Sequence, residues 1–184
     1  SASFAVESFQ SLYLKTYFPL EFMVAVINNF GGFYRTEYYF HEARMQGATI
    51  HPPCVNKSHY PTHIEGKNIY VGFVHLHQME RKVASLLLKQ RRTDGCYRNL
   101  ADFVNRVNIS ADQLEILIRI GAFRFVGKTK AELMWEKNAV FNPKQKWEPS
   151  GSLFDEPFEE YKLPNLQAGK FDQALDEIEL LGFP

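Results

Sequence analysis

The chain has 184 residues and is 45% hydrophobic, which is enough apolar material for one or two small cores. Its net charge is zero, but residues 1–147 carry 19 Lys and Arg against 12 Asp and Glu, and residues 148–184 carry 2 against 9. Cys54 and Cys96 lack disulfide-framework or zinc spacing, and no apolar run suggests a membrane span or signal peptide, so we expect a protein of the reducing cytoplasm. The uneven charge predicts a basic partner surface followed by an acidic tail, although a solvated helical surface explains it equally well.

The first 47 residues are predicted to be helical. Apolar spacing indicates helices over residues 3–17, 20–30 and 33–46, with Pro19 starting the second and Gly47 capping the third. The third helix is rich in aromatic side chains, which could stack on bases, but at this spacing we expect them in the core. These are Phe33, Tyr34, Tyr38, Tyr39 and Phe40.

The remaining chain is predicted to be mainly α with a small β-hairpin and an extended C-terminal tail. Residues 48–61 are expected to form a loop, and residues 62–64 and 68–73 a hairpin that leans on the helices. Further helices are predicted over 79–92, 100–107, 110–120, from 128 onwards and over 171–181, with Ser110 as an N-cap. A proline-rich linker over 142–170 precedes the last, acidic helix.

The turn from Gly121 to Gly127 joins two of these helices and is the strongest candidate site. It is predicted to leave the backbone N–H groups of the next helix start free beside two lysines, which makes a phosphate site. Paired helix-hairpin-helix turns of this kind hold a nucleic-acid backbone without reading bases. The candidate contacts in this second hairpin are Arg124, Gly127, Lys128, Thr129 and Lys130. A first hairpin lies at the start of the helix predicted over residues 79–92. The candidate contacts in that hairpin and its helix are Gln78, Arg81, Lys82, Lys89, Arg91 and Arg92.

No catalytic or metal motif accompanies these residues. The six histidines, including His75 and His77, lack Cys or Asp partners at ligand spacing, and the acids cluster in the tail. We therefore expect neither a catalytic centre nor a bound cofactor. Two alternatives stay open: a helical protein-interaction scaffold whose acidic tail covers its basic face, and a free-standing helix-hairpin-helix protein. The missing initiator Met and the apolar helix over 20–30 favour a piece of a longer protein over the second alternative.

Five motifs follow one another in a specific order along the chain. Residues 1–23, 52–58, 69–73, 117–123 and 175–183 contain S-A-S-F-A…Y-F-P-L-E-F-M, P-P-C-V-N-K-S, I-Y-V-G-F, L-I-R-I-G-A-F and L-D-E-I-E-L-L-G-F. In sequence and order they resemble the alpha subunit of bacterial DNA polymerase III, a C-family replicative polymerase. The resemblance covers nearly the whole chain and is weakest over residues 142–170.

The resemblance implies a division into three parts. Residues 1–47 would be the end of the polymerase fingers, and residues 48–141 a tandem helix-hairpin-helix domain that holds the newly made primer-template duplex. Residues 142–184 would be a linker and a terminal helix leading to an OB-fold outside this chain. The catalytic aspartates of the palm and their Mg²⁺ would also lie outside it, so we expect no nucleotidyltransferase activity from this chain alone.

The same resemblance implies partners and a location. The partners would be primer-template DNA and the rest of the polymerase and, for the whole protein, the other replisome subunits. The sliding-clamp site would lie outside this chain. The location would be the bacterial cytoplasm, at the nucleoid and away from membranes.

Two departures from the family pattern affect the site. The first hairpin of the family usually carries a Gly-x-Gly turn, whereas residues 77–80 read His-Gln-Met-Glu here. Side chains block close backbone approach and Glu80 repels phosphate, so the second hairpin is predicted to be the main DNA contact. Phe4 stands where the family often has Tyr. The resemblance places that ring near the nascent base pair, where it would keep the stacking face and lose the hydroxyl.

Overall fold

The computed structural model describes residues 2–141 and 171–184, and within these ranges the chain is mainly helical, as predicted. The helices and strands, in chain order, are α1 (Ala2–Tyr17), α2 (Pro19–Asn28), α3 (Thr36–Met45), β1 (Thr49–His51), β2 (His63–Glu65), β3 (Asn68–Tyr70), α4 (Arg81–Asp94), α5 (Leu100–Arg106), α6 (Ala111–Arg119), α7 (Lys130–Phe141) and α8 (Asp172–Leu181). Short 3-10 turns lie at Phe73–His75 and Arg124–Val126. The predicted linker over residues 142–170 falls outside the described residues.

The N-terminal helices begin and end close to their predicted positions. Pro19 starts α2, and Gly47 ends the α3 region with a φ of +91°. The aromatic side chains around α3 do not all join the core, which corrects the prediction: Phe33 is 93% exposed, and only Phe40 is fully buried. The reason is that α3 begins at Thr36, so Phe33 precedes the helix and does not follow its buried face.

The predicted β-hairpin is part of a three-stranded sheet of order β1-β3-β2. Strand β2 pairs antiparallel with β3, as expected, but β1 lies in the predicted loop and pairs parallel with β3. Ile50 and Ile64 both stand opposite Ile69 in these registers. A three-residue strand is too short to show alternation in sequence, and its backbone pairing with β3 is what defines it.

One hydrophobic core joins residues from all three predicted parts of the chain, including Ile27, Phe103 and Leu180. The division at residues 47 and 141 itself stays a prediction.

Beside the sheet, the backbone at Gly72 approaches its neighbours so closely that a Cβ there would lie 2.3 Å from the carbonyl carbon of Pro61.

The caps of α5 and α6 fix the entry of the chain into these helices. Asn99 accepts a hydrogen bond from the Asp102 N–H (2.8 Å). Ser110 accepts one from the Gln113 N–H (3.4 Å), as its predicted N-cap role requires.

Among the described residues, none of the helices has the length and apolar character that crossing a membrane requires.

Candidate nucleic-acid interface

Helix α4 carries its apolar and its cationic side chains on opposite faces. Val83, Ala84 and Leu87 are buried against the core. The exposed positions on the other side form what we call the α4 stripe, which consists of Arg81, Lys82, Ser85, Lys89 and Arg92. At 3.6 residues per turn these positions span about 100° of the helix circumference. The one acid of α4, Asp94, lies outside the stripe, so all the charged side chains of the stripe are basic.

The cations of the α4 stripe are available to a ligand. None of the four is ion-paired with a carboxylate in the part of the chain that the structure describes. Arg81 lies over the ring of Tyr60, 5.4 Å from its centroid. The first turn of α4 has no side-chain cap, so its terminal N–H groups add a partial positive charge beside Arg81 and Lys82. The exposed carboxylate of Glu80, the N-cap residue, stands at the same end, so the four cations of the stripe, and not the helix start alone, suit a phosphate.

Arg91 differs from its neighbour Arg92, although the sequence predicts both as contacts. The Arg91 side chain is half-buried, and its Nη1 donates to the carbonyl oxygens of Val55 (2.8 Å) and Ser58 (2.9 Å). Burial lowers the pKa of this guanidinium. Arg91 thus ties the chain around residues 54–58 to α4, and its helical position puts it on the core side, away from the stripe.

The second hairpin has a capping box, and the prediction of free N–H groups is wrong at Thr129. The Thr129 N–H donates to Glu132 Oε2 (2.6 Å), and the Glu132 N–H donates to Thr129 Oγ1 (3.3 Å). The Thr129 hydroxyl also donates to Glu132 Oε2 (2.8 Å), and the bonds that this carboxylate accepts from the Thr129 N–H and hydroxyl lower the pKa of Glu132. The signal was present in the sequence, because Thr129-Lys130-Ala131-Glu132 has capping-box spacing.

The cationic side chains of the second hairpin are also paired with acids. Lys128 bonds Glu136, and Lys130 Nζ lies 2.7 Å from Asp176 Oδ2. Arg124 Nη2 lies 3.6 Å from the carboxylate of Glu177 on α8. Gly127 adopts the left-handed conformation with open space around it, as its predicted place in the turn requires.

The first hairpin turn uses its backbone internally. The buried Gln113 accepts from the Glu80 N–H (2.9 Å) and donates through Nε2 to the Gln78 carbonyl (2.9 Å). The His77 N–H donates to the Leu180 carbonyl of α8 (3.0 Å). Gln113 was not predicted as a site residue, because only the fold brings it to this turn.

Phe4 lies away from both hairpins, on α1. Its side chain is 72% exposed, the other described side chains of α1 are exposed too, and the contacts of α1 are mainly with α2, the next helix along the chain. The structure therefore does not bring it together with the other predicted site residues. In the described ranges, His, Cys, Asp and Glu side chains form no group of three that could hold a metal ion.

Comparison with known proteins agrees with this architecture. A family model described as a helix-hairpin-helix motif matches residues 47–133. The DNA polymerase III subunit alpha of Staphylococcus epidermidis is 31% identical over 147 residues, which cover 78% of this chain and 14% of that protein. This chain is a homologue of one region of the DNA polymerase III alpha subunits.

Two further relatives are named as DNA polymerases. The error-prone DNA polymerase of Mycobacterium bovis is 30% identical over 141 residues, covering 75% of this chain and 13% of that protein. The DNA polymerase III subunit alpha of Aquifex aeolicus is 27% identical over 187 residues, covering all of this chain and 15% of that protein. The chain thus spans about one seventh of the length of these relatives, and it contains a helix-hairpin-helix motif over residues 47–133.

Proposed function

We propose that this chain grips the sugar–phosphate backbone of duplex primer-template DNA, without reading its sequence, as a non-catalytic region of a bacterial replicative polymerase. The observation that carries the proposal is the α4 stripe, where four exposed cations stand without carboxylate partners beside an uncapped helix start. Lys and Arg contacts to phosphate position a protein on DNA but carry no base information.

The main contact in this proposal is the α4 stripe and not the second hairpin. In the second hairpin, Arg124, Lys128 and Lys130 each face a carboxylate. Donors that already serve a carboxylate are not available to a phosphate at the same time. Arg91 takes a structural role in the proposal, because it is bound to two carbonyl groups.

The proposal also assigns the surroundings of the chain. The rest of the polymerase is its covalent partner and supplies the palm carboxylates with their Mg²⁺, while Phe4 belongs to the fingers near the nascent base pair. The whole protein works with the replisome in the bacterial cytoplasm, at the nucleoid. The chain itself contributes positioning of the duplex and no chemical step.

The test is fluorescence anisotropy of a labelled primer-template duplex at several salt concentrations. The wild-type chain is expected to bind weakly, with a slope of log K against log salt of roughly −3 to −4, since each neutralised phosphate contributes about −0.9. The triple variant Lys82→Gln, Lys89→Gln, Arg92→Gln neutralises the stripe. Its slope of log K against log salt is expected to be shallower than that of the wild type by about 2 to 3. Duplexes of unrelated sequence should bind equally.

A matched control separates the stripe from net charge. The triple variant Lys15→Gln, Arg44→Gln, Lys67→Gln removes three exposed cations on α1, α3 and the β2–β3 turn, and it is expected to keep most of the wild-type slope. Equal losses in the two triple variants would show that the stripe is not a site. Absence of wild-type binding at low salt would overturn the proposal.

The second candidate function is a protein-interaction scaffold, and the exposed face of α1 favours it. Phe4, Phe9 and Leu12 are each at least 70% exposed, which is typical of a surface that packs against another polypeptide. The same anisotropy experiment decides, because a scaffold does not bind the duplex in a salt-dependent manner.

A further inference from the structure

Three carboxylates of helix α8 form ion pairs with cations at the second hairpin. We call Asp176, Glu177 and Glu179 the acidic cover. Asp176 is central because it receives two cations, Arg119 Nε at 2.8 Å and Lys130 Nζ at 2.7 Å. These cations come from the end of α6 and the start of α7, which flank the hairpin turn.

The other two carboxylates extend the contact on either side. Glu179 bonds the guanidinium of Arg119, and Glu177 lies 3.6 Å from Arg124. Hydrogen bonds to Glu179 and Asp176 raise the pKa of Arg119, and the bond from the Arg119 guanidinium lowers the pKa of Glu179. The covered cations, Arg119, Arg124 and Lys130, are therefore neutralised within the chain.

The two ends of α8 are held differently. At the C-terminal end, Leu180 and Leu181 are buried, and the ring of Phe183 lies 5.0 Å from that of Phe40. At the N-terminal end, Phe171 is 74% exposed and Leu175 is 62% exposed. Among the described residues, apolar burial thus anchors the last turn of α8, and the ion pairs of the acidic cover hold the preceding turns against the hairpin.

We infer that α8 is an internal competitor of DNA phosphate, which masks the second hairpin until a duplex displaces it. The inference rests on the proposed function and concerns the regulation of the same interface. Carboxylate and phosphate oxygens accept the same charge-assisted hydrogen bonds from Arg and Lys. A duplex held by the α4 stripe therefore gains contacts with the covered cations only when the acidic cover is displaced.

Neutralising the acidic cover tests the inference on the full chain. In the triple variant Asp176→Asn, Glu177→Gln, Glu179→Gln, duplex affinity near 0.1 M salt is expected to rise roughly tenfold. The salt slope is expected to become steeper by about 2 to 3, because in the wild type the acidic cover is displaced in only a minority of the complexes, whereas in the variant all three cations are available to phosphates. The matched control Glu7→Gln, Glu21→Gln, Glu37→Gln raises net charge equally, on helices α1 to α3, and is expected to leave the slope close to that of the wild type.

Hydrogen exchange on the wild-type chain supplies a second readout that needs no variant. Saturating duplex is expected to speed exchange of the α8 amides while it slows exchange in α4. Duplex binding with unchanged α8 exchange, or equal affinities and slopes in the two triple variants, would overturn the inference and leave the proposed function standing. Absence of binding in the wild type and in both triple variants would instead overturn the proposed function itself.

Discussion

Two regions of this molecule carry similar numbers of cations but use them in opposite ways. On α4 the basic side chains of the stripe face solvent without carboxylate partners, whereas around the second hairpin Arg124, Lys128 and Lys130 face acids of α7 and α8. The helix starts differ in the same sense, since α4 has no side-chain cap and the start of α7 is closed by Thr129 and Glu132. The comparison teaches that the positions of basic residues in a sequence do not reveal which of them are free to bind a phosphate.

The chain between β3 and α4 contains a close backbone contact at Gly72, and its disruption should give the largest effect. In Gly72→Ala the new Cβ meets backbone atoms of Tyr60, Pro61 and Thr62 at 2.6 Å or less, so we expect a loss of unfolding free energy on the order of 3 kcal/mol. Urea denaturation measures it. Gly66→Ala is the control, with open space and a φ of +62°, and should lose about 1 kcal/mol. A smaller loss at Gly72 than at Gly66 would contradict the close approach.

The core beneath the first hairpin is expected to weaken in acid, because His75 is buried there. Burial lowers the pKa of His75 from 6.5 to about 4, and its Nε2 bonds Thr62 Oγ1 (3.0 Å). Between these two values the unfolded chain takes up a proton that the folded chain refuses, so stability falls as the pH falls from 6.5 towards 4. The loss attributable to His75 is up to about 3 kcal/mol.

Urea denaturation at pH 7.5 and at pH 5 measures this dependence. His75→Gln removes the group with the pKa of about 4 and should reduce the difference between the two pH values, while burial also lowers the pKa of His59 and His63 and leaves a smaller remainder. His41→Gln, at an exposed position on α3, is the matched control and should retain it. The same pH difference in both variants would show that other groups cause the acid sensitivity.

Adjacent arginines on α4 sharpen the comparison within one helix. Arg91→Gln leaves the carbonyl groups of Val55 and Ser58 without their donor, so we expect a loss of about 2 kcal/mol in stability and little change in duplex affinity of the folded chain. Arg92→Gln should leave stability unchanged and weaken duplex binding roughly fivefold at 0.1 M salt. Paired denaturation and anisotropy measurements test this, and the reverse assignment of the two effects would contradict it.

The capping box of the second hairpin should give the smallest effect. Thr129→Ala removes the hydroxyl that accepts from the Glu132 N–H, and we expect a loss of about 1 kcal/mol in unfolding free energy. Duplex affinity should stay within about twofold, because this helix start does not bind phosphate directly in our account. A large affinity change without a stability change would restore the N–H groups of this turn as a phosphate site.

The sequence predicted the helices well because their apolar periodicity and caps are local. Ser110 and Pro19 acted as expected, whereas β1 was missed because its pairing with β3 is a long-range contact. The candidate site was predicted only as a set of residues. Arg91 and Arg92 look alike in sequence, and only the fold shows that Asp176 lies across the second hairpin. Ion pairs between distant segments carry no signal in one sequence.

The measurement that tests the central claim most directly compares two charge reversals in duplex anisotropy at low salt. Lys82→Glu with Lys89→Glu reverses the α4 stripe, and Lys128→Glu with Lys130→Glu changes net charge equally at the second hairpin. We expect the first pair to weaken binding at least roughly tenfold and the second less than about threefold, with both chains folded by circular dichroism. A larger loss from the second pair would contradict the account and return the DNA contact to the second hairpin.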